Sequence, residues 1–317
     1  MAKSFTHLHA HSQYSLLDGI IRFDELMPYL KELNMNACAI TDHGNLHGAL
    51  EFYGLARAAG IKPILGCEIY LTLDPDNIEN SERERRNYHL TLLAKNLAGW
   101  KNLIWLSSNA YFHNFYYKPR VCFGHLASHS EGIIALSGCL ASIVARSGHY
   151  DKEKFTFSDP DNAAESMLLG LNKIFKDNFY AEIQDNAMWE QNRYNKWLIS
   201  KARQLNIPTV ITTDAHYLRF KDHELHKMIL AQQMKKTMEQ YIKGDELRYG
   251  NGYYIRSIDE MFDAAVRQGS EEAFWNTQKI ADQCNLELTL GKYQNPEFDI
   301  TKCKDYEDFR RWNNKQG

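Results

Sequence analysis

The chain carries little net charge of either sign. In 317 residues, 37 Lys and Arg stand against 40 Asp and Glu, for a formal charge of −3. A protein held to nucleic acid mainly by non-specific phosphate contacts would be basic. Any nucleic-acid grip here is therefore expected to be local, through metal ions and a few Arg and Lys. The start, MAKSFTHLHAHS, lacks a charged segment leading into an apolar one, which argues against secretion. No apolar run reaches the length of a membrane span: the longest weakly polar stretch, 132–145, is interrupted by Ser and Gly. The six cysteines are scattered and form no CxxC pair, so the reading is reduced thiols and a cytoplasmic protein with no membrane partner. No GxGxxG follows the first expected strand, which weakens a dinucleotide-binding reading. Internal repeats and low-complexity tracts are also missing.

What is present is a 44% hydrophobic share, enough for a sizeable core, and an unusual number of histidines, thirteen. Hydrophobic patterning predicts strands at 5–9, 37–41, 64–71, 88–94, 132–136, 179–183 and 208–213. Helices are expected at 23–33, 46–59, 97–109, 163–175 and 188–205. Strands alternating with helices argue for a parallel sheet. Seven of them in about 215 residues suit a barrel better than an open doubly wound sheet. The fold expected is α/β: a distorted (β/α)7 TIM-like barrel over 1–218, a helical continuation packed on it over 219–290, and an irregular tail over 291–317. The helical continuation divides into 223–241 and 258–285. The charged stretch 74–87 reads as a surface loop, 112–120 as an aromatic-rich insertion, and 149–161 as a polar excursion.

The chemistry-bearing residues fall where strands end. His9 and His11 lie two apart on an extended segment and so face the same way, able to grip one ion or two adjacent ones. His7 shares that face and is a candidate outer partner of the ligands. His43, in Thr41-Asp42-His43-Gly44, follows an apolar strand at the end where barrel active sites form. A plain turn would account for Asp42 and Gly44 but not for His43. Asp42 is an orienting carboxylate or an acid/base group. Glu68 ends the next strand after Gly66-Cys67, where an unpaired buried carboxylate would be costly. Asp214 and His216 repeat the alternation of His9 and His11. His89 alone reads as a core histidine, and Cys139 alone as a small buried hydrophobe. Together, His, Asp, Glu or Cys recurs at six strand ends or first turns, which converge on one rim of a parallel barrel. Mixed N, O and S donors suit Zn2+, Mn2+ or Fe2+ better than Mg2+ alone. So many donors exceed one tetrahedral ion and imply two or three.

The segments HLHAHSQYSLLDG, ITDHG, LGCEIYL, YHLTLLAKN, FYYKPR, EGIIALSGCL and IPTVITTDAHYL resemble the polymerase-and-histidinol-phosphatase (PHP) domain. The similarity is to the form at the N-terminus of bacterial replicative DNA polymerase III α subunits, over about 5–285. That resemblance implies a trinuclear metal site with His9, His11, Asp18, His43, Glu68, His89, Cys139, Asp214 and His216 as ligands. It implies a metal-dependent 3′–5′ exonuclease hydrolysing DNA phosphodiesters. The alternatives are a small-molecule phosphomonoesterase of histidinol-phosphatase type and a non-catalytic, metal-stabilised module of a replicase. Expected partners are DNA 3′ ends or single-stranded nucleic acid, and a replicative polymerase or other replisome protein. Lys118 and Arg120 are candidates to add charge at the rim, Arg120 and Asp42 candidates for a catalytic role, and Tyr116 and Tyr117 candidates to stack on an unpaired base. The chain ends at Gly317, roughly where a palm would start, so DNA synthesis is not expected of it, and it is either an excised domain or a free-standing product.

Overall fold

The computed structural model describes residues 3–73, 87–244, 251–292, 300–302 and 305–314. The expected surface loop at 74–87 lies outside them except for Asn87. In chain order the first half runs α1 (Phe23–Glu32), β1 (Ala37–Ile40), α2 (Ala49–Ala59), β2 (Lys62–Thr72), β3 (Tyr88–Ala94) and α3 (Leu97–Phe112). Then come β4 (Phe115–Tyr116), β5 (Lys118–Cys122), α4 (Phe123–Ser128), β6 (Ile133–Leu136) and α5 (Ile143–Ser147). After β7 (His149–Asp151) and β8 (Thr156–Ser158) follow α6 (Ala163–Phe175), β9 (Phe179–Gln184), α7 (Trp189–Gln204) and β10 (Thr209–Thr212). The helices after β10 are α8 (His223–Gln233), α9 (Met238–Lys243), α10 (Ile258–Gln268), α11 (Glu271–Gln283) and α12 (Tyr306–Asn313). Among the described residues no helix is long and apolar enough to cross a membrane.

Eight of the strands form one curled mixed sheet, ordered β10-β9-β6-β3-β2-β5-β4, with β1 paired to the first half of β2, while β7 and β8 pair with each other. The N-terminal segment makes bridges rather than a regular strand. His7 bridges Cys38 beside β1, and Ala10 bridges Ala215 just beyond β10. That segment therefore lies between β1 and the end of β10, and the sheet curls into a distorted, barrel-like α/β fold.

The sheet is not all parallel, as the alternation of strands and helices had suggested. β3 runs antiparallel to both β2 and β6.

The barrel's core holds Leu8, Ile64, Leu93, Ile134, Leu136 and Val210, and Ile280 and Ala281 of α11, with Cys284 just after it, pack among them. Since Ala37 and Ile64 lie at the starts of their strands, α11 covers the end of the barrel opposite the ligand rim. Lys62 Nζ ties the same helix down, donating to the Ala281 carbonyl at 2.6 Å and to Asn285 Oδ1 at 2.9 Å.

The expected helix 258–285 is two helices. Ser257 caps the first in a capping box with Glu260, and Gly269 at φ +76° ends it in the left-handed conformation. The expected helix 223–241 breaks likewise, at Lys235 (φ +55°), before Thr237 and Gln240 cap α9. Two hairpins stand where irregular chain was expected: β4–β5 within the aromatic insertion and β7–β8 within the polar excursion. Residues Met1–Leu286 form one compact unit and Glu287–Gly317 a second. The second unit contains α12, a correction to the irregular tail.

Candidate metal centre

All nine expected ligands come to one rim. Glu68, at the centre, is 1% exposed. Its Oε1 lies 3.0 Å from His89 Nδ1 and 3.4 Å from His9 Nε2. Its Oε2 lies 2.7 Å from His43 Nδ1 and 3.5 Å from His11 Nε2. Asp214 Oδ1 is 3.1 Å from His11 Nε2 and 3.2 Å from His9 Nε2. Asp18 reaches His43 Nε2 at 3.2 Å and His216 Nε2 at 3.6 Å. Cys139 Sγ sits 3.6 Å from His89 Nδ1 and 3.9 Å from Glu68 Oε1. Three groups have donor atoms close enough to share an ion: His9/His11/Asp214, His11/His43/His216 and His43/Glu68/His89.

The antiparallel course of β3 explains His89. It stands at the start of its strand, and only a reversed strand brings a starting residue to the rim where the others end. Gly138 makes room for this approach. It has φ +87°, and a side chain there would place its Cβ 2.7 Å from the His89 carbonyl oxygen. Asp214 itself adopts a left-handed conformation, φ +54°, directly after β10. The turn, not a continued strand alternation, therefore aims Asp214 and His216 at the same place.

Outer hydrogen bonds fix which nitrogen three histidines present. His9 Nδ1 lies 2.6 Å from Glu182 Oε1, so Nδ1 carries the proton and donates it. Ser15 Oγ spends its hydrogen on Asp42 Oδ1 at 2.7 Å, so at 3.0 Å it accepts from His11 Nδ1. His216 Nδ1 donates to the Asp214 carbonyl at 2.7 Å. In each case the Nε2 lone pair is left facing the cluster, as a metal ligand requires.

Four buried cluster atoms, Asp18 Oδ1, His43 Nδ1, Glu68 Oε2 and Asp214 Oδ1, face neighbouring ligand atoms without forming a well-aligned hydrogen bond. Buried polar atoms without well-formed hydrogen bonds are rare and costly, and bound cations would satisfy them. The donor set therefore fits divalent ions.

Burial disfavours charge on the Asp18, Glu68 and Asp214 carboxyls, but the surrounding histidines overcome it and hold all three below the usual carboxylate range. Burial also opposes charge on His43, yet Glu68 and Asp18 raise its pKa to about 10. His11 goes the other way, to about 3, through burial and the neighbouring His43 and His216. Burial, with the Glu68 and Asp214 carboxylates, pushes the Cys139 thiol up.

Other candidates are placed differently. Asp42 is 3% exposed and accepts from Ser12 N, Ser12 Oγ and Ser15 Oγ. It braces His11 through Ser15, an orienting carboxylate. Arg120 is 1% exposed, packs against the Tyr116 ring, and donates from Nε to the Asn114 carbonyl at 3.2 Å. It lines neither cavity at the cluster and holds the β4–β5 hairpin instead of the rim. His7 does not support the ligands as expected. The chain bends at His9, and His7 Nε2 contacts the Arg256 carbonyl at 2.9 Å.

Two residues escaped the sequence reading. Glu182, fully buried in β9, accepts from His9 Nδ1, Thr212 Oγ1, Gly138 N and Gln184 Nε2. A lone carboxylate inside the apolar run Phe179-Tyr180-Ala181-Glu182-Ile183 was the available signal. His226 of α8 places Nε2 3.5 Å from Asp18 Oδ1. It lies far beyond the last motif, and one histidine on a helix carries no such signal.

The PHP domain family profile matches residues 7–186. The DNA polymerase III subunit alpha of Deinococcus radiodurans is 39% identical over 313 residues, covering 94% of this chain and 22% of the relative. The corresponding subunit of Campylobacter jejuni is 37% identical, covering 94% and 24%. The chain thus spans about a quarter of the length of these curated relatives. A solved two-domain protein of Bacteroides vulgatus, described as containing a predicted PHP-like metal-dependent phosphoesterase, aligns at 15% identity with a TM-score of 0.37. That alignment covers 68% of this chain and 52% of the other. With the family profile spanning more than half of its length, this chain belongs to the PHP domain family.

Proposed function

We propose that the chain is a metal-dependent phosphoesterase whose substrate is a DNA 3′ end, cleaved at a phosphodiester in the 3′–5′ direction. The observation that carries the hydrolase reading is the three groups of buried donor atoms close enough to share an ion, with His9, His11 and His216 each held to present Nε2 to the cluster. The nine ligands would hold two or three divalent ions, and the mixed N, O and S donors favour Zn2+, Mn2+ or Fe2+. Bound there, the ions supply neutralisation of phosphate charge and activation of a water nucleophile.

The chain's own residues prepare that chemistry. Asp18, Glu68 and Asp214 stay ionised at ordinary pH. Glu182, Ser15 and the Asp214 carbonyl hold His9, His11 and His216 in the binding tautomer. A cavity of about 160 Å3 opens on the cluster, lined by Asp18, His43, His89, Cys139, Asp214 and His216. Leu140 and Met188 on its wall limit water, and exposed Arg146 at its edge offers a positive charge to a phosphate. Polymerase III relatives matching nearly the whole chain support the DNA end over a small phosphomonoester, and support replisome proteins as partners.

The test loads the protein with each metal in turn and supplies a 3′-mismatched primer and p-nitrophenyl phosphate. Metal-dependent release of 3′ nucleotides is expected, lost in Asp214→Ala with the circular dichroism spectrum intact. Turnover of the monoester alone would overturn the DNA assignment. Wild-type turnover in Asp214→Ala would overturn the site.

A further inference from the structure

Beside the metal cluster runs a second cavity of about 220 Å3, lined among others by Tyr14, Tyr70, Tyr111, Phe115, Tyr117 and Lys118. Asp18 and His43 line both cavities, so the two adjoin.

The wall is aromatic and open. Tyr117 is 80% exposed, Phe115 54% and Tyr111 41%. Tyr111 and Phe115 lie with ring centroids 6.0 Å apart and planes 25° from parallel, a broad flat surface. Lys118 Nζ stands 5.1 Å from the centre of the Tyr70 ring, placing a cation over the groove floor. The platform is braced from beneath, because buried Arg120 ties the β4–β5 hairpin to Asn114 and Tyr116.

Tyr117 at the hairpin tip has φ +56°. Glycine or asparagine suits that conformation, and a bulky aromatic residue there carries strain. The Tyr117 ring meets Tyr116 edge-on at 4.7 Å and is otherwise 80% exposed, and such strain belongs with sites where it serves a purpose.

We infer that this groove takes the unpaired bases next to the scissile phosphate, stacked on Tyr117, Phe115 and Tyr111, with Lys118 on the nucleotide backbone. Aromatic faces with interspersed cations bind single-stranded nucleic acid without regard to sequence. A small phosphomonoester would make no use of so long a wall. The inference rests on the phosphoesterase reading of the adjoining cluster and names the substrate feature that the cluster would receive.

The probe is a single-stranded oligodeoxynucleotide carrying 2-aminopurine at its 3′ end, whose fluorescence is quenched on stacking. Tyr117→Ala and Phe115→Ala are each expected to weaken binding roughly 5- to 100-fold. Phe112→Ala, exposed but outside the groove, is expected to change nothing. Tyr117→Gly relieves the strained backbone, so it is expected to raise the melting temperature while weakening binding. This variant answers the objection of misfolding. Binding within twofold of wild type in Tyr117→Gly and Phe115→Ala would overturn the groove. Wild-type turnover of bis(p-nitrophenyl) phosphate, which has no base, reads the metal centre separately. Turnover with unaltered oligonucleotide binding in the variants sinks the groove alone, and quenching without turnover sinks the hydrolase alone.

Discussion

Glu182→Gln is an isosteric change one bond beyond the ligands, and its consequence follows from the hydrogen-bond inventory. The Glu182 carboxylate accepts on Oε1 from His9 Nδ1 at 2.6 Å, Thr212 Oγ1 at 2.6 Å and Gln184 Nε2 at 3.2 Å. On Oε2 it accepts from Gly138 N at 3.1 Å. A glutamine keeps one acceptor oxygen. Turned so that this oxygen serves His9, its amide faces the Gly138 N–H, donor against donor. Turned the other way, it opposes three donors at once. The first orientation costs less, and it still exchanges a charge-assisted bond to His9 for a neutral one, about half as strong. The proton on His9 Nδ1 is held less firmly, and the Nε2 lone pair is less available. Loss of an outer partner of this kind lowers metal affinity about 10- to 100-fold. At saturating metal the stabilisation by bound ion then falls by about 1.4–2.7 kcal/mol.

The assay is thermal unfolding of wild type and Glu182→Gln, each with metal and with chelator. The gap between the two conditions should shrink in the variant by roughly 2–4 °C. A lower melting temperature in both conditions with an unchanged gap would refute the argument, since it would make Glu182 a core residue only.

Two further outcomes are expected. Burial raises the Cys38 thiol to about 12 from its ordinary 9.0. Above pH 9 the unfolded chain therefore binds fewer protons than the folded one, and stability falls as pH rises toward 12. One such thiol accounts for about 1.4 kcal/mol at pH 10. In urea titrations Cys38→Ala should lose about that much less than wild type between pH 8 and 10, and an equal loss would contradict the assignment. Gly138→Ala forces a side chain onto a φ of +87° and against the His89 carbonyl. Destabilisation of about 1–3 kcal/mol is expected in denaturant unfolding, and a neutral effect would show that β3 and the Cys139 turn adjust freely.

The main barrel strands and the candidate donors at their ends were legible in the chain. Apolar runs such as Ile64–Leu65 and Ile133–Leu136 mark strands because burial leaves their composition little choice, and polar donors at their ends interrupt those runs visibly. The pairs His9/His11 and Asp214/His216 stood out by spacing, whereas Asp18, His89 and Cys139 rested on the family resemblance. Other features lay beyond a linear reading because they depend on which segments meet. β3 is reversed by its pairing with β2 and β6, and that reversal alone makes a strand-starting His89 a rim residue. Arg120 is charged and follows two tyrosines, yet the hairpin folds over it. His7 shares the periodicity of His9, yet a bend turns it to the Arg256 carbonyl. Glu182 and His226 reach the cluster from β9 and from a helix beyond the barrel, across more than 170 residues from His9 and more than 200 from Asp18 respectively. Local composition thus determined which residues could be ligands and where strands would form. Only the closed sheet decided which nitrogen each histidine presents and which carboxylates stand behind them, because those choices follow from hydrogen bonds between segments far apart in the chain.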